Sequence, residues 1–335
     1  MKVPYIAKQY NFFGSETHSV TALCAATQFV INISPDSLIR TPFHAVYTSY
    51  ISKMSEKDDN GFPKHLLDSE AALVQMVCNK CSTIFQTFTT TSDSFSLQDY
   101  IQPSTYQVFI VKDVSSQDGV VAKTSGDIHK SYSWGIAPVK IEELDARAAT
   151  VEKFKASGLL IAYNATTTSM VNQVYTTTRQ TFFFKPRTEL MSPEFKRELS
   201  VLLSIVDYRL HRTLRVCRLK GLVVLDNGLV AGVLLDWLSG LPLADPNVSQ
   251  SHKFHGVWKE QVETIVDELH RHSIVWGDVN PHNILIDSNS DAWVIDFGGN
   301  NNVEFIDEEI KETAEGDKQG VHRIFEEWLP RRLVH

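Results

Sequence analysis

Read from its N-terminus, the chain first shows apolar blocks, then strict alternation, then a helical period. Val20 to Ile33, His44 to Met54 and Leu66 to Val77 are apolar patches between polar stretches, and they predict helices. Lys57-Asp58-Asp59-Asn60-Gly61-Phe62-Pro63 is a loop by composition. Ser82 to Ser96 is rich in Ser, Thr and Phe, with no phosphate-loop glycines, metal-spaced histidines or nucleophile elbow. From Tyr106 the pattern changes. Tyr106–Val111 and Gly119–Lys123 predict a hairpin turning through Ser115–Asp118. Ile141 to Ala156 has helical spacing at Ile141, Leu144, Ala148, Val151 and Phe154, and Gly158–Tyr163 reads as a buried strand.

The second half is more regular. Thr181-Phe182-Phe183-Phe184-Lys185-Pro186 is a strand ending in a lone lysine. Ser192-Pro193 then opens a helix over 193 to about 206, with Ser192 as its cap, Pro193 in the first turn and Glu194 at the positive end. Phe195, Leu199, Leu202, Leu203 and Val206 form its core face, while Glu194 and Glu198, four apart, share another. Leu214–Leu225 and Leu229–Leu235 predict a strand pair turning at Asp226-Asn227-Gly228. His255 to His270 is amphipathic through Val257, Val262, Ile265, Val266 and Leu269.

The chemistry concentrates in Ile274-Val275-Trp276-Gly277-Asp278-Val279-Asn280-Pro281-His282-Asn283-Ile284-Leu285-Ile286-Asp287 and Ala292-Trp293-Val294-Ile295-Asp296-Phe297-Gly298-Gly299. Asp278 and Asn283 are 5 apart, and Asp296 follows Asn283 by 13 (296 − 283). Two carboxylates and a carboxamide thus sit at loop positions beside short apolar strands. An Asp, four residues, an Asn, then Asp-Phe-Gly resembles the catalytic and metal loops of the protein kinase-like superfamily, most closely the compact, atypical kinase-like proteins common in fungi. Lys185 precedes Asp278 by 93 positions (278 − 185), enough for a helix, a hairpin, a hinge and one long helix.

That resemblance covers roughly residues 158 to 330 and implies an α+β, two-lobed protein kinase-like fold. The β-rich small lobe would run over about 158–237 and a reduced helical large lobe over about 238–335, preceded by an α+β N-terminal region, 1–157, of no assigned role. It implies Asp278 as the catalytic residue, Asn283 and Asp296 as ligands of Mg²⁺, and Lys185 holding ATP phosphates while paired with Glu198. Asp236 and Leu238, in Leu235-Asp236-Trp237-Leu238-Ser239-Gly240, would form the hinge against the adenine. Lys123, in Val-Ala-Lys, is the rival lysine, but it lies 155 positions before Asp278 (278 − 123). The implied activity transfers the γ-phosphoryl group of ATP to a hydroxyl of a protein or small molecule.

The departures from the pattern define the alternative, a catalytically inactive ATP-binding regulator or scaffold. Trp276 stands where the loop usually has His, and Asn280 where protein Ser/Thr kinases carry a lysine. Asn164-Ala165-Thr166-Thr167-Thr168-Ser169-Met170 replaces a Gly-rich loop, and only 39 residues follow Asp296 (335 − 296), without an Ala-Pro-Glu segment.

Composition narrows the partners. The net charge is −8, from 32 basic and 40 acidic residues, which gives no general pull toward nucleic acid or anionic membrane. No N-terminal signal pattern and no apolar run of the ~20 residues that span a bilayer occur, so a cytoplasmic protein is expected. Cys24, Cys78, Cys81 and Cys217 are too scattered for a disulfide framework, and Cys78-Asn79-Lys80-Cys81 lacks the second pair of a zinc site; packed thiols are expected.

Overall fold

The computed structural model describes residues 6–12, 17–24, 26–58, 64–89, 94–130, 132–133, 135–162, 170–299 and 302–332. The fold mixes helices with several sheets. Contacts divide the chain into two units, Met1–Trp134 with Ser157–Val171, and Gly135–Ala156 with Asn172–His335. The single boundary expected at 158 is thus replaced by an interleaved division. No helix among the described residues is long and apolar enough to cross a membrane.

The first unit opens with β1 (Ile6–Asn11), β2 (His18–Cys24) and β3 (Thr27–Ile33), paired antiparallel in succession. This corrects the helix expected over Val20 to Ile33. Val20, Ala22 and Cys24 are buried alternately on one strand, and Phe29, Ile31 and Ile33 on the next. The segment is rich in β-branched residues, and its true period is 2. The helices expected at His44 and Leu66 do form, as α1 (Pro42–Ser55) and α2 (Leu66–Lys80). Thr41 caps α1 by accepting from the His44 N–H at 3.1 Å. The chain continues through α3 (Ser82–Phe88), β4 (Ser94–Ser96) and α4 (Leu97–Ile101). β5 (Ser104–Lys112) and β6 (Val120–Lys130) then form the expected hairpin, with β5 parallel to β3. Phe29, Ile31, Tyr47, Leu73, Val77, Phe85 and Val108 share one core between sheet and helices. Lys123 is exposed on β6. Cys24, Cys78 and Cys81 are buried, and burial pushes the Cys24 and Cys81 thiols above their ordinary range. Residues 135–156 carry β7 (Lys153–Lys155) of the second unit, after which β8 (Leu159–Ala162) pairs antiparallel with β4.

The helix expected over Ile141 to Ala156 is absent. Short 3-10 turns at Ile141–Glu143 and Ala146–Thr150 lead into β7 instead. Tertiary bonds outweigh helical periodicity here. The Arg147 guanidinium binds Asp145 at 2.7 Å and Asp207 at 3.0 Å, and β7 joins β11 (Leu219–Val224) in parallel. β9 (Gln173–Thr176), β10 (Thr181–Pro186) and β12 (Val230–Asp236) complete this part of the sheet, in the order β9-β10-β12-β11-β7. α5 (Ser192–Asp207) follows β10 as expected, with Phe195, Leu199, Leu202 and Leu203 buried. Ser192 does not cap it; its Oγ accepts from Arg187 Nη2 at 2.6 Å instead, although Pro193 and Glu194 occupy the first turn as expected.

Beyond β12 the unit turns helical around a small second sheet, β13 (Gly240–Pro242), β14 (Ile284–Asp287) and β15 (Ala292–Val294). Between β13 and β14 lie the short α6 (Pro246–Ser249) and the long α7 (His255–Arg271), whose Trp258, Val262, Ile265, Val266 and Leu269 enter the core. α7 also grips the β14–β15 turn, since Trp258 Nε1 donates to the Ser290 carbonyl at 2.8 Å and Gln261 Oε1 accepts from the Ala292 N–H at 2.7 Å. α8 (Ala314–His322), a wide π turn over Arg323–Trp328 and α9 (Leu329–Arg331) end the described chain.

Candidate active site

Alternation along β10 decides what reaches the cleft beside it. Phe182 and Phe184 are buried in the core, while Phe183 and Lys185, on the other face, line a cavity of about 300 Å³. Register with β12 opposes Lys185 to Val233, and α5 brings a carboxylate to the same lysine. The Lys185 ammonium lies 2.7 Å from Glu198 Oε2 and 2.8 Å from Asp296 Oδ1. Burial works against this ammonium, but the two carboxylates outweigh it and raise its pKa. Glu198 is only 2% exposed, and that burial pushes its carboxyl up despite the facing ammonium.

Asp296 closes β15 with a left-handed backbone, at φ 58°. Aspartate tolerates this region better than most residues, and its own Oδ1 accepts from the Gly298 N–H at 3.1 Å. Asp278 is cradled by two carboxamides. Asn280 Nδ2 donates to its Oδ1 at 3.0 Å and Asn283 Nδ2 to its Oδ2 at 2.7 Å. Burial first, then the Asp296 charge, pushes the Asp278 carboxyl up to about 6. Asn283 is itself fixed by backbone, its carbonyl accepting from the Ile295 N–H at 3.0 Å.

Asp236 and Leu238 both line the cavity, together with Trp237, whose ring stacks on Phe183 at 6.4 Å. The Asp236 carboxylate faces Lys220 at 3.1 Å, and the Asp236 N–H donates to the Arg218 carbonyl at 3.1 Å. Cys217, Leu285 and Ile295 complete the apolar walls, and burial pushes the Cys217 thiol up to about 12. A mostly apolar slot therefore ends at the Glu198 and Asp296 carboxylates with the Lys185 ammonium between them.

That excess of negative charge fits a divalent cation. Asn283 commits its amide N–H groups to Asp278, leaving its carboxamide oxygen as a hard donor, and Asp296 supplies a carboxylate. Among the described residues no three His, Cys, Asp or Glu side chains gather as a metal set. Two protein oxygens are what magnesium takes when phosphates and water complete its shell.

Three residues outside the expected set organise the loops. Trp276 is fully buried, and its Nε1 donates to the carbonyls of Ile295 and Asp296, both at 3.0 Å. Asp317 on α8, 1% exposed, accepts from the Trp276 N–H at 2.7 Å and the Gly277 N–H at 2.8 Å, with His270 Nε2 2.8 Å away. Arg197 donates to the carbonyls of Val275, Trp276 and Phe297. A signal for Asp317 was present in its flanking glycines. A Cβ at Gly316 would overlap the Ile310 carbonyl and one at Gly320 would come within 2.8 Å of the Val279 side chain, so this helix is pressed closely against its neighbours. The Asn164–Ser169 stretch expected over the phosphates lies outside the described residues.

No family model and no curated protein sequence matches the chain.

Proposed function

We propose that the chain is a compact, two-lobed kinase-like phosphotransferase that uses Mg-ATP to phosphorylate a hydroxyl. The observation that carries this reading is the Lys185 ammonium held between Glu198 and Asp296, at one end of a slot whose opposite wall carries Asp236, Trp237 and Leu238. A flat heteroaromatic ring suits the slot between Leu235, Leu285 and Ile295, and polyphosphate suits the charged end. Asn283 and Asp296 are the residues that would hold magnesium there, where it would supply neutralisation of phosphate charge.

The chain's own residues supply position and proton handling. Lys185 presents a fixed positive charge that Glu198 keeps pointed at the phosphates. Asp278, with each oxygen already fixed by a carboxamide, orients an acceptor hydroxyl and takes its proton as the oxygen attacks. Its raised pKa makes it a better base than a surface aspartate near neutral pH. Trp276 carries an N–H to the Asp296 backbone, so its place in the loop is a structural one that does not remove the base.

The test is direct. Purified protein with Mg-ATP and a panel of protein, sugar, lipid-headgroup and amino-alcohol acceptors should transfer phosphate, and Asp278→Ala should reduce turnover by at least ~10³-fold. Nucleotide binding without transfer to any acceptor would replace this reading with the non-catalytic ATP-binding one. Absence of binding would sink both.

A further inference from the structure

We propose that Arg197 is a positioning residue that holds α5, the Asp278 loop and the Asp296 loop in one register; this rests on the phosphotransferase reading. Its guanidinium donates to the carbonyls of Val275 at 3.2 Å and Trp276 at 3.1 Å, just before Asp278, and to that of Phe297, just after Asp296. The neighbouring residue on α5 is Glu198, which holds Lys185, and Lys185 in turn reaches Asp296. The contacts therefore close a ring running Lys185, Glu198, Arg197, Phe297, Asp296 and back to Lys185. Displacement of any one member strains the others.

The glycines of the two loops give an independent indication that this space belongs to the guanidinium. Gly277 and Gly299 both have φ 78°, a conformation that favours glycine. A Cβ at Gly277 would overlap Arg197 Nη2, and one at Gly299 would meet Glu312 Oε1 at 2.8 Å and Arg197 Cδ at 3.3 Å. Each loop thus bends around the same side chain. Arginine suits this task because its planar fork spreads donors toward several carbonyls at once, whereas a lysine ammonium concentrates its three donors at one atom on a shorter reach.

The consequence is a site whose helix, base loop and metal loop are set in register before a nucleotide arrives. The adenine wall, built from β12 and the residues after it, does not depend on Arg197. Loss of the fork should therefore spare binding of the base and damage the part of binding that needs magnesium.

The experiment measures calorimetric binding of a β,γ-imido ATP analogue in EDTA and in magnesium, for wild type, Arg197→Lys and Arg197→Gln. In EDTA the variants should bind within ~2-fold of wild type, while the additional affinity given by magnesium should fall ~10-fold or more, as when a supporting partner of a metal ligand is lost. Turnover should show kcat down ~100-fold, the size expected for a small misplacement of reacting groups, with KM for Mg-ATP rising in step with the lost magnesium-dependent affinity. Equal loss of affinity in EDTA and magnesium, alongside a lower melting temperature, would make Arg197 a purely structural residue and overturn the proposal, as would variants that match wild type throughout. A wild-type protein with no magnesium-dependent nucleotide binding would instead remove the phosphotransferase reading and this proposal with it.

Discussion

Asp278, the base of the proposed reaction, carries a cost to stability. Its carboxyl holds a proton more tightly in the folded protein than in the unfolded chain, with a pKa raised from 3.8 to about 6. Its contribution to stability is therefore fully present below pH ~4 and is lost as pH rises through about 6. The shift corresponds to about 2 kcal/mol once solvent screening at this partly exposed group is allowed for. Asp278→Asn cannot ionise, so its stability relative to wild type should rise by about that amount between pH 4 and pH 7, measured by urea denaturation at each pH. The reading fails if the difference is flat across that range. Turnover by wild type should climb through the same pH window, because the base works deprotonated. Lys185→Met makes the opposite kind of change, leaving Glu198 buried without its partner at a cost of about 3–5 kcal/mol. Adding Glu198→Met should recover much of that loss in denaturant melts while activity stays absent. Types and spacings single out Lys185, Glu198, Asp278, Asn283 and Asp296 in the sequence, and the structure brings Lys185 to Glu198 and Asp296, and Asn283 to Asp278. Arg197 carries no such pattern, because its partners are backbone carbonyls, and Asp317 is marked only by the close-packed glycines of its helix.

At the scale of elements, legibility followed period and boundary signals. Asp226-Asn227-Gly228 marked the β11–β12 hairpin, and α5 and α7 were visible through their apolar stripes. The β2–β3 hairpin was read as helix because Val20–Cys24 and Thr27–Ile33 are apolar enough to blur alternation, and Leu23 is buried beside Ala22 and Cys24. Residues 141–156 failed differently. Their helical spacing is real, but Leu144 and Ala148 reach the core through short turns fastened by Arg147, whose partners Asp207 and Ser200 lie far along the chain. Strand pairing at the site has its own weak point at Gly232, opposite Pro186 on β10. A Cβ there would overlap the Lys185 carbonyl and come within 2.8 Å of the Phe184 ring. Gly232→Ala should push β10 away from β12, cost about 3 kcal/mol and weaken nucleotide binding by moving Lys185. A variant with wild-type denaturation and binding would show that β10 yields without cost.

For the whole molecule, the interleaved units matter more than the lobe boundaries expected from sequence. Gly135–Ala156 precedes Ser157–Val171 in the chain yet belongs with Asn172–His335. It contributes β7 to the sheet edge beside β11, Val139, Leu144 and Ala148 to the core, and Arg147 to α5. A fragment cut at residue 172 keeps every candidate site residue but loses that edge strand, those core side chains and the clamp on the helix bearing Glu198. Burial of even three apolar side chains of this kind is worth several kcal/mol, of the order of ~1–3 each, against a total stability of only about 5–15 kcal/mol. Residues 172–335 alone should therefore melt without cooperativity and bind no nucleotide, and a fusion of 135–156 to 172–335 through a flexible linker should restore a cooperative transition by circular dichroism. Equal cooperativity of the two fragments would mean that the 135–156 segment decorates the sheet rather than completing it.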